Sequence, residues 1–267
     1  MTKTFGDVRQ IAVEPGIRLA VNVSGTPGKP VIVFSNSLAS SYGMWDEVAQ
    51  LLAPHACLVR YDTRGHGQSD APEGGYTIDR LGQDVLAILD ALEMSRALIC
   101  GVSLGGLTAM WLGIHAPDRV SGVVLANTAA NFPPATMWRD RAVTARASGT
   151  GSFVQPSLDR WVTSAYRDTH AARAAELAAM ITTTSPAGYA GCCEVLAATD
   201  LLPELSRVQC PVLVIAGSQD PSTPPARAEE IAAAIGQADL VTLVAAHISA
   251  VEAPKPFADA VRTLLAV

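Results

Sequence analysis

The stretch Ala97-Leu98-Ile99-Cys100-Gly101-Val102-Ser103-Leu104-Gly105-Gly106 decides the fold. An apolar run, Ala97–Val102, leads into it, and a helix-forming run, Gly105–His115, leads out. A Gly-x-Ser-x-Gly at a strand-to-helix junction is the sequence form of a nucleophile elbow. The turn is sharp, and a Cβ on either side of the serine would clash, which explains glycine at 101 and 105. Such a turn lifts the Ser103 hydroxyl to the carboxyl edge of a sheet. It also aims the Leu104 amide at the point where an oxyanion would form.

Outward from the elbow, short apolar runs alternate with helical stretches. Val31–Phe34, Cys57–Tyr61, Gly122–Ala126, Val212–Ala216 and Leu240–Val244 read as strands. Their near-continuous apolar character suits parallel strands covered on both faces. Met44–Leu52, Ile78–Leu92, Pro225–Ile235 and Pro256–Leu265 read as helices. In the second of these, Leu81, Val85, Ile88, Leu89 and Leu92 repeat with the 3.6-residue period of one buried stripe. The alternation predicts an α/β fold, a mostly parallel central sheet flanked by helices and joined by right-handed crossovers. A hairpin precedes it over Ile11–Val23, turning at Glu14-Pro15-Gly16. From Asn127 to about Leu205 the alternation stops, and the chain is Ala-rich and helical. The expected organisation is a core of residues 1–126 and 206–267 carrying a helical cap, 127–205, over the sheet.

A serine hydroxyl is a weak nucleophile and needs a base. Of five histidines, His247 follows the last strand and precedes a terminal helix. His66 sits in the Gly-rich loop Arg64-Gly65-His66-Gly67, in a structural role or lining a pocket; His115 ends a helix, and His55 and His170 read as exposed. Asp220, in Gly217-Ser218-Gln219-Asp220 after the fifth core strand, is the carboxylate placed to orient the base. The order Ser103, Asp220, His247 is that of the α/β-hydrolases and differs from the two familiar protease orders. Three such residues at three strand ends are far more specific than any one of them.

Composition narrows the remaining choices. The 267 residues are 49% apolar, enough for a full core and too many for a disordered chain. Lys and Arg number 19 against 25 Asp and Glu, a formal charge of −6, with no basic cluster to neutralise phosphates. Nucleic acid is therefore not an expected partner. The polar opening, Met1–Gln10, lacks the apolar centre of a signal peptide, and no run of eighteen apolar residues spans a membrane. Five cysteines without a Cys-x-x-Cys pair suggest neither zinc nor a disulfide framework, and adjacent Cys192 and Cys193 read as core fillers. The expected location is the cytoplasm, with no metal and no cofactor.

The chain resembles the 3-oxoadipate enol-lactonases, α/β-hydrolases of aromatic-compound degradation. The resemblance runs along nearly the whole chain. Its more particular parts are Ser35-Asn36-Ser37-Leu38, Gly188-Tyr189-Ala190-Gly191-Cys192-Cys193-Glu194 and Ala246-His247-Ile248-Ser249. Asp62-Thr63-Arg64-Gly65-His66-Gly67 and the serine elbow are shared by many hydrolases. Ala39 and Ala250 depart from the expected Gly and Asn, and Asn131-Phe132-Pro133-Pro134 from the usual cap entry. Alignment with relatives on Met44-Trp45 puts the second oxyanion donor, a backbone amide, at Leu38.

The resemblance implies opening of a five-membered enol-lactone, a small anionic substrate, to 3-oxoadipate in the β-ketoadipate pathway. The substrate's free carboxylate calls for a cation, and a guanidinium suits it best. Arg141 and Arg160 in the cap are the candidates, with Trp138 and Trp161 as walls. The alternative is a carboxylesterase, or another serine hydrolase of this fold on a different carbonyl substrate. A non-catalytic binding protein fits poorly with all three reactive residue types. A dehalogenase or epoxide hydrolase would carry Asp in place of Ser103.

Overall fold

The apolar runs form one eight-stranded sheet in the computed structural model, which describes residues 6–265. Residues 1–5 of the opening segment read for leader character lie outside the described residues. The strands are β1 (Val8–Glu14), β2 (Ile17–Gly25), β3 (Val31–Ser35), β4 (Cys57–Tyr61), β5 (Ala97–Val102), β6 (Val120–Ala126), β7 (Val212–Gly217) and β8 (Ala238–Leu243). Their spatial order is β1-β2-β4-β3-β5-β6-β7-β8. From β4 through β8 every pairing is parallel; β1 and β2 add the antiparallel hairpin by pairing β2 with β4. The hairpin expected over Ile11–Val23 is thus longer than predicted and part of the main sheet. Every residue of β4, β5 and β7 is buried, as two covered faces require.

The helices are α1 (Asp46–Leu52), α2 (Ile78–Ala91), α3 (Leu104–His115), α4 (Ala135–Ser148), α5 (Val154–Trp161), α6 (Ser164–Thr169), α7 (Ala171–Thr183), α8 (Pro186–Ala198), α9 (Pro225–Ile235), α10 (Ser249–Glu252) and α11 (Pro254–Thr263). Thr77 starts α2 by accepting the Arg80 amide on its side chain, and α2 buries Leu81, Val85, Ile88 and Leu89. α3 leaves the elbow packed against β3, β5 and β6 with α2 alongside, so nearly all of it is buried. α1 packs on α11, and α9 on β7 and β8. Five helices, α4 to α8, are inserted between β6 and β7, with α4 packed along α8.

The last strand and the terminal helix also differ from the sequence reading, and β6 begins two residues early, at Val120. The last strand is Ala238–Leu243 instead of Leu240–Val244, and it is an edge strand with Leu240 left 41% exposed. An apolar pattern alone does not distinguish an edge from a centre. The terminal helix begins at Pro254, because the first turn of a helix tolerates proline and Pro256 does not mark its start.

Candidate active site

The elbow is strained as its sequence predicts. Ser103 has φ 57° and ψ −115°, a region that costs a non-glycine residue about 1–3 kcal/mol. Surrounding bonds impose it: the Ser103 amide donates to Ala126 O (3.1 Å), and Thr128 Oγ1 donates to Ser103 O (2.7 Å). A Cβ at Gly101 would lie 2.0 Å from Gly105 O, and one at Gly105 2.0 Å from Ser35 O. Only glycine lets β5, β3 and α3 come this close.

The loops after β7 and β8 bring Asp220 and His247 together. His247 Nδ1 lies 2.9 Å from Asp220 Oδ2, and both side chains are buried. Asp220 Oδ2 also accepts from Thr223 Oγ1 (2.7 Å) and Asn127 Nδ2 (3.1 Å). Its Oδ1 accepts from the amides of Ser222 (2.8 Å) and Thr223 (3.0 Å). Burial alone would raise the Asp220 pKa, but His247 and the Thr223 donors outweigh it and hold the carboxyl below its ordinary value. The carboxylate accepts a proton carried on His247 Nδ1, which leaves Nε2 as the nitrogen able to accept one. Ser103 and His247 line the same cavity. Among the described residues no hydrogen bond joins their side chains; such contacts often form only when substrate is bound.

The inserted helices help to seat the base. The amides of His247 and Ile248 donate to the carbonyls of Arg160 (3.1 Å) and Trp161 (2.8 Å) at the end of α5. Glu252 accepts the Ala246 amide (2.8 Å) and also holds the Thr163 hydroxyl, tying the loop before His247 to the start of α6.

The loop after β3 reaches the same cavity as His247, and Leu38 is part of the lining. Asn36 fixes its start: Asn36 Nδ2 donates to Tyr61 O (2.7 Å), and Trp45 Nε1 donates to Asn36 Oδ1 (2.8 Å). Neither the Leu38 nor the Leu104 amide has an acceptor among the described residues. The neighbouring Ala39 amide is taken; it donates to His66 Nε2 (3.0 Å).

The cavity has a volume of about 260 Å³. Trp138, Arg141, Arg160 and Trp161 all line it. Arg141 stacks over Trp138, 5.1 Å from the ring centre, and lies 5.7 Å from the centre of Phe153. Burial and the neighbouring Arg141 both lower the Arg160 pKa. Neither guanidinium makes an ion pair with a carboxylate among the described residues. Two cations thus line one partly aromatic cavity with no carboxylate of the described residues within ion-pair distance of either. Groups that hold a metal are absent among the described residues. No helix there is long and apolar enough to cross a membrane.

Several contributors escaped the sequence reading. Asn127 bridges Asp220 and Ala246 O, and Thr223 donates to the acid. Tyr189, Phe132 and Met137 complete the cavity wall. Asn127 had one legible signal: it directly follows a core strand, as Ser103 does. His66 does not line the cavity; it is buried behind the Leu38 loop.

Comparison with known proteins agrees with this architecture. The α/β hydrolase fold family model matches residues 30–254. The chain is 41% identical over 241 residues to 3-oxoadipate enol-lactonase 2 of Acinetobacter baylyi, covering 90% of each chain. It is 38% identical to 3-oxoadipate enol-lactonase 1 of the same organism, covering 91% of each. The crystal structure of the enol-lactonase from Burkholderia xenovorans superposes with a TM-score of 0.94 at 39% identity, covering 97% of this chain and 100% of that one. This chain belongs to the α/β-hydrolase fold family and is a hydrolytic enzyme.

Proposed function

We propose that the enzyme opens a small carboxylate-bearing lactone, 3-oxoadipate enol-lactone, by a serine acyl-enzyme route. The observation that carries this reading is the pair of uncompensated guanidiniums, Arg141 and Arg160, in the cavity that also holds Ser103 and His247. His247 Nε2 takes the Ser103 proton as Oγ attacks the lactone carbonyl. The tetrahedral oxyanion is stabilised by the Leu38 and Leu104 amides, both free of other acceptors. Collapse breaks the ring C–O bond and the enol oxygen takes the proton from His247. The enol becomes a ketone, which makes it a good leaving group. Water, deprotonated by His247, then attacks the acyl-enzyme and returns Ser103. The released product carries two carboxylates, one from the side chain and one from the former ring carbonyl.

In this reading residues 127–205 form a cap on a core of 1–126 and 206–267, since cavity residues come from both. The high similarity to enol-lactonases supports a place in aromatic-compound degradation by the β-ketoadipate route. Five free cysteines, four of them buried, accord with a reducing cytoplasm.

The experiment is a direct comparison of the enol-lactone with a neutral ester such as phenyl acetate. The enol-lactone should be turned over with the far higher kcat/KM; preference for the neutral ester would overturn the reading. Removing the cations by R141A/R160A should raise KM for the enol-lactone about 10- to 100-fold, the worth of charged hydrogen bonds of about 1.5–3 kcal/mol. KM for phenyl acetate should stay within about twofold. Equal losses on both substrates would show that the arginines shape the cavity without reading charge.

A further inference from the structure

Residues Arg64, Gly65 and His66 of the loop after β4 are buried between the Leu38 loop and the inserted helices, and the mechanism above does not use them. Its His66 is 1% exposed and makes two bonds. Nδ1 lies 3.1 Å from the Arg64 carbonyl, and Nε2 lies 3.0 Å from the Ala39 amide nitrogen. A carbonyl only accepts and an amide N–H only donates, so both bonds exist together only in one form of the ring. That form is the neutral tautomer with the proton on Nδ1. Burial favours it, pushing the His66 pKa down to about 4.

Ala39 needs this support. It has φ 65°, a left-handed conformation unusual for a residue with a Cβ. Its amide is bound by His66, and its carbonyl lies 3.4 Å from Thr184 Oγ1 at the end of α7, a hydroxyl that donates mainly to Met180 O at 2.8 Å. The residue before it is Leu38, which lines the cavity and whose amide has no acceptor among the described residues. A change in φ at Ala39 reorients the peptide that Leu38 shares with it and lets the loop swing.

The same loop is held from the other side by the inserted helices. The Ser185 amide donates to Gly65 O (3.1 Å), one residue before His66. Gly65 and Gly188 meet backbone to backbone: a Cβ built on Gly65 would lie 2.1 Å from Gly188 Cα. Gly65 has φ 78° as well, so a side chain there is excluded twice over. A continuous chain of contacts thus runs from the N-terminus of α8, through Gly65 and His66, to Ala39 and Leu38.

We propose that His66 is a positioning residue for the oxyanion donor: its unprotonated Nε2 locks the left-handed turn at Ala39 and thereby holds the Leu38 amide on the developing oxyanion. This rests on the reading of Leu38 as a donor. The lock acts in the transition state, because a ground-state carbonyl demands less of the donor's alignment than a tetrahedral oxyanion.

Two substitutions separate the two ring nitrogens. Asn places its amide near the position of Nδ1 and keeps a donor for Arg64 O but offers Ala39 no acceptor. Gln reaches the position of Nε2 and keeps an acceptor for Ala39. H66N should lower kcat about 10- to 100-fold, below the roughly 10²–10³ lost with a whole donor, with KM within about threefold. Its affinity for a trifluoromethyl ketone inhibitor, which forms the tetrahedral adduct, should fall in parallel. H66Q should recover at least half of the lost activity on a logarithmic scale. Thermal unfolding of both variants measures folding separately. If H66N and H66Q lose kcat equally, or if H66N loses only thermal stability, the inference is overturned. S103A run beside them separates the failures. Turnover that persists in S103A would overturn the reading of the site and this inference with it. Serine-dependent turnover with equal H66N and H66Q overturns this inference alone.

Discussion

Replacing Ser103 by Ala should reduce kcat by about 10⁴-fold or more, leaving KM nearly unchanged. The hydroxyl is the only atom removed, and it is the one that forms the acyl-enzyme in the proposed route. The thiol nearest in sequence does not take its place: Cys100 is fully buried, and burial raises its pKa. Losses of this size are typical where a covalent nucleophile is deleted and the rest of the machinery stays. The same position makes a second, opposite forecast about stability. Ser103 is held at φ 57° and ψ −115°, conformations that glycine reaches without a Cβ clash. S103G should therefore be as inactive as S103A yet more stable by about 1 kcal/mol. That corresponds to a Tm rise of roughly 2–4 °C in a protein of this size. Calorimetry beside a steady-state assay checks both. Residual activity above about 1% in either variant would exclude Ser103 as nucleophile, and a lower Tm in S103G would exclude stored backbone strain.

How much of this was legible in the sequence follows from the range over which each residue acts. Ser103, Asp220 and His247 each stand just beyond a core strand, and each is flanked by its own local signal. The two glycines of the elbow announce a turn that nothing else would require. Arg141, Arg160, Trp138 and Trp161 needed a chemical reason, the charge of an expected substrate, and all four line the cavity. The residues that escaped act through partners far away in the chain. Asn127 touches Ser249, 122 positions on; His66 was legible as a structural loop residue, but not its bond to the Ala39 amide, 27 positions away. Glu252 reaches Thr163 across 89. An Asn or a Glu in such places has no periodicity or spacing to betray it, and even for a legible His the partner is hidden; only the packed sheet brings the pairs together. The edge position of β8 was hidden for a similar reason. Being an edge depends on what fails to pair with it, and an apolar run says nothing about its neighbours.

Asp220→Asn should cost about 10⁴-fold in kcat while leaving the cavity's shape intact, because the change acts on the proton of His247. The two oxygens of Asp220 have different neighbours. Oδ1 faces the backbone amides of Ser222 and Thr223, fixed donors with no other conformation available. Oδ2 faces His247, the Thr223 hydroxyl and the Asn127 amide. An asparagine must put its NH₂ group on one side. On the Oδ1 side it would oppose two donors that cannot turn away. On the Oδ2 side the Thr223 hydroxyl can rotate and the imidazole can move its proton to Nε2, so that only the Asn127 amide, held by Ala246 O, is opposed. The second arrangement is the cheaper one, and it leaves His247 with a protonated Nε2 that cannot accept the Ser103 proton. A downfield Nδ1–H proton resonance present in the wild type should vanish in D220N. The stability effect has a definite sign. A carboxyl held below its ordinary pKa in the folded state stabilises the fold above its unfolded pKa, and loses that contribution as pH falls through the folded value. The stability gap between wild type and D220N should therefore be full at neutral pH and shrink below about pH 4. D220N retaining more than about a tenth of the wild-type kcat, with the Nδ1–H resonance still present, would remove Asp220 from its orienting role.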